Sequence, residues 1–467
     1  MMENNLYVSS AWDYDELAKY DVSGPRYTSY PTALQFHEEF SEKDYISLAK
    51  ASNDRTRPLS LYLHLPFCDK LCYYCACNKV ITNNKERSSE YLNFLIREIK
   101  MQAALFNTNR PVTQLHWGGG SPTYFSNEEM TRLMHNTARY FNLLEENQGD
   151  YSIEIDPRSV DEERIGLIKG LGFNRISLGV QDFNLQVQES INRIQSLEMV
   201  SGIVKHVRNY KFKSLNFDLI YGLPYQSPES FSETIEQVIA LSPDRLSLFN
   251  YAHMPNRFKN QRLIKQETLP GPQEKLPILC NSAKALINAG YEHIGFDHFA
   301  KPLDELAIAQ KNATLHRNFQ GYSTAREADL IGLGVSAISN VNGAYSQNQK
   351  SIATYQEVIA DNHLPIERGY ILDQDDQIRQ ALIEDLTCNN CINIDELEKR
   401  FNIRFSEYFS QETSMLNELC KDGLLQTIEN KWLATPKGRV LIRNICMVFD
   451  RHLQHSQTTG KVFSKTI

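Results

Sequence analysis

The sequence predicts an α/β fold, and three features support this prediction. Short apolar runs of strand length alternate with longer amphipathic segments from residue 59 to about residue 251. A polar or otherwise unusual residue follows each of these runs. The last hundred residues change to a mostly helical pattern. With 467 residues, 41% hydrophobic and 23% charged, the chain can form a large core and more than one domain.

Six apolar runs are candidates for β-strands. They are LSLYLHLP (59–66), VTQLHWGGG (112–120), YSIEID (151–156), NRISLGVQ (174–181), LNFDLIYGLP (215–224) and RLSLFNYAH (245–253). Because helical segments separate them, we expect parallel strands joined by right-handed crossovers. Six such units form either a doubly wound sheet or an incomplete (β/α) barrel, and both bind ligands at the carboxyl ends of the strands.

The predicted strand ends carry residues that suit a shared binding site. These residues are Cys68, Gly118–Gly120, Glu154, Asp156, Gln181, Asp218, Tyr221 and Ala252. One polar residue at a strand end is ordinary, whereas six consecutive strand ends of this kind favour one site at that edge of the sheet.

Amphipathic segments between the strands are candidates for helices. They are SSEYLNFLIREIKMQAALF (88–106), SNEEMTRLMHNTARYF (126–141), residues 195–209 and SPESFSETIEQVIAL (227–241). Several begin with serine and are expected to start with a capping box, in which serine is followed three residues later by glutamate.

The C-terminal part is predicted to be mostly helical. Its helical segments are DDQIRQALIEDLTCN (375–389), IDELEKRF (394–401) and the region from residue 415 to residue 450, within which KDGLLQTIENKWLATPKGR resembles the wing of a winged helix. Residues 374–467 carry 13 acidic and 12 basic side chains. A balanced charge gives no basic face for DNA or RNA, so we expect no nucleic-acid partner.

Charge and hydropathy indicate where in the cell the protein is located. The net charge is −8, which gives no attraction to anionic lipid. The N-terminal stretch MMENNLYVSSAWDYDELAKY has no apolar signal core, and no apolar run approaches the about 18 residues of a membrane span. We therefore expect a cytoplasmic protein without a membrane partner.

The stretch FCDKLCYYCACNK (67–79) holds four of the nine cysteines. Disulfides are disfavoured by the odd number of cysteines, the scatter of the other five and the expected reducing compartment. Structural zinc usually needs two separated cysteine pairs. Cys68, Cys72 and Cys75 on one loop can instead hold three corners of an iron–sulfur cubane and leave the fourth iron open. Cys388 and Cys391 have no second pair nearby in the sequence and are interpreted as ordinary thiols.

The CxxxCxxC spacing after a first strand resembles the radical S-adenosylmethionine (SAM) superfamily. In that superfamily the cluster is [4Fe–4S], and SAM chelates the open iron through its amino and carboxylate groups. Tyr74 stands where an aromatic residue commonly precedes the third cysteine. WGGGSP (117–122) resembles the superfamily's glycine-rich segment, where the missing Cβ lets the backbone approach the amino group of SAM.

Further motifs resemble the oxygen-independent coproporphyrinogen III oxidase family nearly end to end. They are GPRYTSYPT (24–32), LYLHLPFC (61–68), CACNK (75–79), LHWGGGSPTY (115–124), EIDPR (154–158), GVQDFN (179–184), DLIYGLP (218–224), HRNFQGY (316–322) and LIRNICMVFD (441–450). Ala76 and Ser121 are mild departures, because glycine and threonine are common there. Cys77 and the YTSYP arm argue against the related haem-chaperone branch, which is the alternative without oxidase activity.

This resemblance implies an incomplete (β/α)6 TIM-like barrel with an N-terminal arm and a mostly helical C-terminal domain. The implied divisions are an arm near the barrel mouth (1–52), a radical SAM barrel core (53–290), a barrel extension and connection (291–370) and a winged-helix-like domain (371–467). A winged-helix regulator that uses its cluster as a sensor is a third hypothesis, and the charge balance argues against it.

The resemblance also implies an activity. Coproporphyrinogen III would become protoporphyrinogen IX without dioxygen, as SAM-derived 5′-deoxyadenosyl radicals convert the propionates of rings A and B to vinyl groups. A flavodoxin or ferredoxin is the expected electron donor, and a monomer is the expected state.

Site residues follow from the same resemblance. Cys68, Cys72 and Cys75 are the implied cluster ligands, and one SAM is implied at Tyr62, Gly119, Glu154 and Ile338. A second SAM is implied at Tyr74, Gly120, Ser121, Gln181, Arg193, Asp218 and Ala252. An arginine can bind a carboxylate with two hydrogen bonds, and an aspartate can accept from an ammonium or hydroxyl group.

The substrate side of the site rests on fewer residues. A tetrapyrrole with four propionates requires basic side chains, and we predict Arg26 and Arg317 for this role because both lie in family-like segments outside the barrel core. Cys77 lies only two residues after Cys75, and this spacing argues against Cys77 as a fourth cluster ligand. We expect Cys77 to face the substrate.

Overall fold

The computed structural model describes residues 19–54, 56–145, 147–325, 327–453, 463 and 465–466. The first 18 residues of the predicted arm and several residues at the end of the predicted C-terminal domain lie outside this set. Within it, no helix combines the length and the apolar character that a membrane crossing requires.

The described residues include strands in every predicted strand segment. In chain order the strands are β1 (Leu59–Leu65), β2 (Phe67–Cys68), β3 (Val80–Ile81), β4 (Pro111–Gly119), β5 (Asn142–Leu143), β6 (Asp150–Ile155), β7 (Arg175–Gln181), β8 (Ser214–Tyr221), β9 (Arg245–Asn250), β10 (Glu292–Gly295), β11 (His298–Ala300), β12 (His316–Asn318), β13 (Gly321–Ser323), β14 (Asp329–Leu333), β15 (Ile338–Val341), β16 (Ala344–Asn348), β17 (Ile366–Ile371), β18 (Cys391–Asn393), β19 (Leu425–Ile428) and β20 (Lys431–Ala434).

The parallel strands form the centre of one sheet. Their order is β9-β8-β7-β6-β4-β1-β14, and antiparallel strands extend the sheet beyond both ends. From β1 to β9 the order follows the chain without reversal, which is the winding of a barrel, whereas a doubly wound sheet reverses its order. The two ends of the sheet, β10 and β17, do not pair. The predicted incomplete barrel is confirmed.

The parallel strand β14 was not among the six predicted strands. It pairs with β1 in parallel, with Tyr62 opposite Gly332. All five of its residues are buried, which is the pattern of a central strand covered on both faces. A run of apolar residues at 330–337 was the signal in the sequence, but its pairing with the first strand, far earlier in the chain, is set by the tertiary fold.

Helices cover the sheet and form the C-terminal part. In chain order they are α1 (Glu42–Ala51), α2 (Lys85–Ala103), α3 (Asn127–Tyr140), α4 (Glu162–Gly170), α5 (Leu185–Ser190), α6 (Leu197–Asn209), α7 (Pro228–Leu241), α8 (Pro272–Asn288), α9 (Glu305–Lys311), α10 (Ile352–Ala360), α11 (Gln374–Asn389), α12 (Ile394–Phe401), α13 (Phe405–Tyr408), α14 (Ser410–Lys421), α15 (Pro436–Val440) and α16 (Ile442–Met447).

The helix starts partly follow the predicted capping pattern. A capping box between Ser126 and Glu129 begins α3, as predicted. The prediction is wrong for α2, which begins at Lys85 with Asn84 as its N-cap. Asparagine accepts a backbone hydrogen bond as well as serine does, so the earlier start satisfies the same unpaired N–H groups.

The C-terminal part has its own hydrophobic core. Helices α11 to α16 surround a small sheet in which β19 and β20 form an antiparallel hairpin and β18 pairs with β20. This hairpin is the predicted wing. The arm contributes to the same core, because Tyr20, Tyr27 and Tyr30 are buried against residues of these helices. The arm therefore packs on the C-terminal part.

Candidate active site

A cavity of about 310 Å³ lies at the carboxyl ends of the parallel strands. We call it the upper cavity. It brings together most of the predicted site residues, which are Cys68, Tyr74, Cys72, Cys75, Cys77, Gly119, Gly120, Ser121, Glu154, Gln181, Arg193 and Asp218. These residues come from five different strand ends and the segments that follow them, so the prediction of a shared site at this edge is supported by geometry.

The cysteine loop, residues 68–77, is held by two side chains from far along the chain. The Asn260 amide donates hydrogen bonds to the carbonyl oxygens of Tyr73 at 2.9 Å and Cys75 at 2.8 Å. Gln261, which is 1% exposed, donates to the carbonyl oxygen of Tyr74 at 2.9 Å. These bonds occupy carbonyl groups that a loop leaves unpaired, and so they fix the position of the thiols.

Two guanidinium groups contact the second cysteine. Arg158 and Arg193 each place a nitrogen 3.5 Å from Cys72 Sγ. Both also bind Asp156, at 2.7 Å and 3.0 Å. Burial opposes ionisation of Asp156, but Arg193 and Arg158 together lower its pKa to about 2. The carboxylate partly neutralises the two cations and orients them toward the sulfur.

The environments of the cysteine thiols differ. A hydrogen bond from Cys77, followed by the charge of Lys79, lowers the pKa of Cys75 to about 6 against the effect of burial. Burial, with a smaller contribution from Cys75, raises the pKa of Cys68 to about 12. Lys79 also donates to the Cys75 carbonyl oxygen at 3.0 Å. Cationic neighbours favour the thiolate, which is the form that binds a metal.

The donor set fits an iron–sulfur cluster better than a single ion. Among the described residues, no three His, Cys, Asp or Glu side chains converge on a point that could hold one metal ion. The three thiols instead line one cavity, as a cluster requires when each thiolate binds a different iron. All nine cysteines, each in the described part of the chain, are free thiols.

The glycine segment after β4 is packed tightly against the end of β1. A Cβ atom on Gly120 would lie 2.6 Å from the Pro66 carbonyl carbon, and one on Gly119, whose φ is +110°, would lie within 2.9 Å of the His64 ring. Gly119 N–H donates to Glu154 Oε2 at 3.1 Å. Backbone packing therefore requires these glycines in addition to any ligand.

Glu154 is held as a carboxylate at the edge of the upper cavity. His116 Nε2 lies 3.2 Å from Glu154 Oε1. Burial alone would raise the pKa of Glu154, but His116 and the Gly119 N–H lower it overall. An ionised carboxylate that is 43% exposed on its side chain can accept hydrogen bonds from ligand hydroxyl groups.

Gln181 and Arg193 meet over a third glycine. Gln181 adopts φ +65° at an irregularity in the pairing of β7 with β8. A Cβ atom on Gly179 would lie 2.8 Å from both Arg193 Nη2 and Gln181 Nε2. Arg193 Nε is buried and has no hydrogen-bond partner among the described residues. This nitrogen is a donor that a bound anion could satisfy.

Asp218 links the upper cavity to a second one. It accepts hydrogen bonds from Ser177 at 2.7 Å and Asn216 at 2.9 Å. Burial raises its pKa, and the nearby Glu154 adds to the increase. Asp218 and Glu154 also line an interior cavity of about 270 Å³ that runs down the barrel and is covered by the β12–β13 hairpin.

Three predicted SAM-binding residues do not line the upper cavity. Tyr62 stacks on His116 with ring centroids 5.8 Å apart, one residue layer behind Glu154. Ile338 lies on β15 and contacts Gly332, the residue that pairs with Tyr62. The Ala252 carbonyl oxygen accepts from Gln261 at 3.3 Å and is thereby linked to the cysteine loop.

The two predicted substrate arginines lie outside the upper cavity. Arg26 Nη2 donates to the carbonyl oxygen of Asn250, the last residue of β9, at 2.8 Å. The Arg317 guanidinium lies 4.5 Å from the ring centre of Tyr322 and lines a separate cavity of about 380 Å³. Its Nε and Nη1 atoms are buried without a hydrogen-bond partner among the described residues. Burial would raise the pKa of Asp297, but His298, and after it the charges of Arg317 and Arg26, lower this pKa overall.

Sequence reasoning did not assign Arg158, Asn260 or Gln261. Arg158 lies in the EIDPR segment, so its family-like context was a usable signal. Asn260 and Gln261 follow the sixth strand in an irregular segment without periodicity. No local pattern in the sequence indicates that they contact a loop 185 to 187 residues earlier.

Comparison with known proteins agrees with this geometry. Residues 62–238 match the model of the radical SAM superfamily, and residues 372–441 match that of the HemN C-terminal domain.

Relatives match the chain over almost its whole length. Oxygen-independent coproporphyrinogen III oxidase from Pseudomonas aeruginosa is 48% identical over 95% of this chain and 96% of the relative. The protein of the same name from Synechocystis is 43% identical over 97% of both. The solved structure of coproporphyrinogen III oxidase from Escherichia coli, described as a radical SAM enzyme, aligns with a TM-score of 0.90 and 46% identity over 95% of this chain and 99% of that one. The chain therefore belongs to the oxygen-independent coproporphyrinogen III oxidase family of the radical SAM superfamily.

Proposed function

We propose that this protein is an enzyme that converts coproporphyrinogen III to protoporphyrinogen IX without dioxygen, in porphyrin and haem biosynthesis. One observation carries the proposal. The three loop cysteines, the glycine segment and four polar strand-end residues line a single cavity in a chain whose full-length relatives carry this name. When bound, a [4Fe–4S] cluster would pass one electron from an external donor to SAM, and SAM would supply the 5′-deoxyadenosyl radical that removes a hydrogen atom from a propionate β-carbon.

The cysteine loop would hold the cluster through Cys68, Cys72 and Cys75. The loop anchors hold the backbone at Tyr74 and Cys75. With three thiolates bound to three irons, the fourth iron of the cluster would be left for SAM. A first SAM is proposed beside Glu154 and Gly119, with Tyr62 and Ile338 supporting this wall from behind. The ionised Glu154 would accept a hydrogen bond from a ribose hydroxyl group.

A second SAM is proposed in the same cavity. Its site would comprise Tyr74, Gly120, Ser121, Gln181, Arg193 and Asp218, with Ala252 outside the lining and linked to the cysteine loop through Gln261. The unpaired Nε of Arg193 supports this proposal, because a methionine carboxylate would satisfy a buried donor that the protein leaves open. Cys77 is exposed at the rim of the cavity and is proposed to face the substrate.

Arg26 and Arg317 are proposed to bind propionates from two sides of Asp297. The arm brings Arg26 to the end of β9, and the β12–β13 hairpin brings Arg317 beside Tyr322. Changing either arginine to alanine should raise the KM for coproporphyrinogen III while leaving SAM cleavage without substrate largely unchanged. Equal loss of both activities would contradict a substrate contact.

The remaining expectations belong to the same proposal. The protein is proposed to consist of the four parts 1–52, 53–290, 291–370 and 371–467. It is proposed to be a cytoplasmic monomer that receives electrons from a flavodoxin or ferredoxin. It is proposed to bind neither nucleic acid nor membrane.

One experiment tests the function. The protein is purified and reconstituted with iron and sulfide without oxygen, and then mixed with SAM, dithionite and coproporphyrinogen III. We expect protoporphyrinogen IX together with 5′-deoxyadenosine and methionine. Tight haem binding without any protoporphyrinogen would overturn the proposal in favour of the haem-chaperone alternative.

A further inference from the structure

A short basic segment lies on the outside of the cysteine loop. Residues 255–266 contain four basic and no acidic side chains, in a chain whose net charge is −8. We call Arg257, Lys259, Arg262 and Lys265 the basic patch. All four are exposed, and among the described residues none of them has an ion-pair partner. The patch therefore presents uncompensated positive charge to solvent.

The same segment is in direct contact with the loop that carries the proposed cluster ligands. Asn260 and Gln261, which lie inside the patch sequence, donate the hydrogen bonds to the carbonyl oxygens of Tyr73, Tyr74 and Cys75. Between the patch and the thiols there are thus only the loop backbone and one layer of side chains. A molecule that rests on the patch therefore lies on the segment that contacts the loop backbone.

An open groove of mixed polarity adjoins the patch. It has a volume of about 450 Å³ and is lined by Tyr73, Tyr225 and Leu263 together with polar and charged side chains, which include Glu189 and Lys265. Leu263 is 55% exposed and Tyr225 is 44% exposed. Tyr73 lies between two of the loop cysteines, so the floor of the groove is part of the cysteine loop. Glu189 and Glu267 border this surface, and the basic side chains remain in excess.

We propose that the basic patch and this groove form the docking surface for a small acidic one-electron carrier protein of the flavodoxin type. Exposed apolar side chains, here Leu263 and Tyr225, with charged side chains around them are typical of a transient protein interface. Positive charge on an acidic protein would guide an acidic partner to this face rather than to another. The inference rests on the proposed function, which consumes one electron for each SAM cleaved.

The electron transfer itself is balanced. The carrier loses one electron, the cluster gains one, and no atom or proton needs to cross the interface. In the proposed function this electron comes from an external donor, and the patch lies next to the loop that would hold the cluster.

Charge reversal on the patch tests the inference. The double variant Lys259→Glu/Lys265→Glu changes two exposed side chains for which no hydrogen bond is found among the described residues. Lys43→Glu/Lys205→Glu is the matched control, since it changes the net charge equally on exposed positions of α1 and α6. Each reconstituted protein is mixed anaerobically with reduced flavodoxin, and cluster reduction is followed by stopped-flow absorbance without coproporphyrinogen III.

We expect the second-order rate constant of the patch variant to fall by about tenfold or more at low salt, with a smaller difference at high salt. The control should match the unmodified protein, and dithionite should reduce all three proteins at similar rates. Equal flavodoxin rates for the patch variant and the control would overturn the proposal, as would an equal loss with dithionite. Failure of the proposed function would appear differently, as a reducible cluster that yields no protoporphyrinogen IX.

Discussion

Replacing Asn260 with alanine tests whether the distant segment controls the stability of the cysteine loop. The two short hydrogen bonds from its amide reach the carbonyl oxygens of Tyr73 and Cys75 at 2.9 Å and 2.8 Å. A third contact, to Cys72 at 3.4 Å, is too long to count. Each short bond contributes about 1 kcal/mol, so opening of the loop should become easier by about 2 kcal/mol, or about 30-fold.

The assay is loss of iron to a chelator from the anaerobically reconstituted protein. We expect Asn260→Ala to lose its cluster about 30-fold faster than the unmodified protein, provided that the loop must open before iron leaves. Asn256→Ala is the matched control, because Asn256 is exposed in the same segment. Thermal unfolding of the cluster-free proteins should be similar, since the change is local. If Asn260→Ala and Asn256→Ala lose iron at the same rate, the anchoring argument is refuted.

Three further predictions concern the cluster and the core. Cys75→Ser should abolish the electron paramagnetic resonance signal of the reduced cubane, whereas the control Cys391→Ser should keep this signal. Loss of the signal in both variants would contradict the proposed ligands. Arg158→Gln removes a cation 3.5 Å from Cys72 Sγ and should lower the midpoint potential of the cluster. Asp156→Asn removes an anion and should raise the midpoint potential. A redox titration in which both variants shift the potential in the same direction would exclude this electrostatic role. Burial raises the pKa of Glu98 to about 7. The pKa of a glutamate in the unfolded chain is about 4.3. Protonation of Glu98 therefore adds on the order of 4 kcal/mol to the free energy of unfolding below this pH, and the contribution is lost as the pH rises through 7. The free energy of unfolding, measured with urea from pH 5 to pH 8, should therefore fall with pH in the unmodified protein and not in Glu98→Gln. Parallel pH profiles for the two proteins would contradict this prediction.

The elements that the sequence predicted well depend on short-range patterns. The six strands β1, β4, β6, β7, β8 and β9 begin and end within one residue of the predicted runs, except that the fifth and sixth runs extend three residues beyond β8 and β9. The wing hairpin and α12 were also predicted. Apolar periodicity and turn residues act over a few positions, so a single sequence contains this information. The start of α2 was predicted too late, because an asparagine cap was overlooked.

The sequence by itself determined the cysteine spacing, the glycine segment and the succession of β/α units, and these motifs were sufficient for the family. The tertiary structure decided which distant residues meet them. It placed β14 beside β1, brought Asn260 and Gln261 to the cysteine loop and left Arg317 outside the upper cavity. The physical reason is that these contacts join segments more than a hundred residues apart. Such contacts are fixed by strand register and by the packing of the whole barrel, and no local window of sequence contains that information.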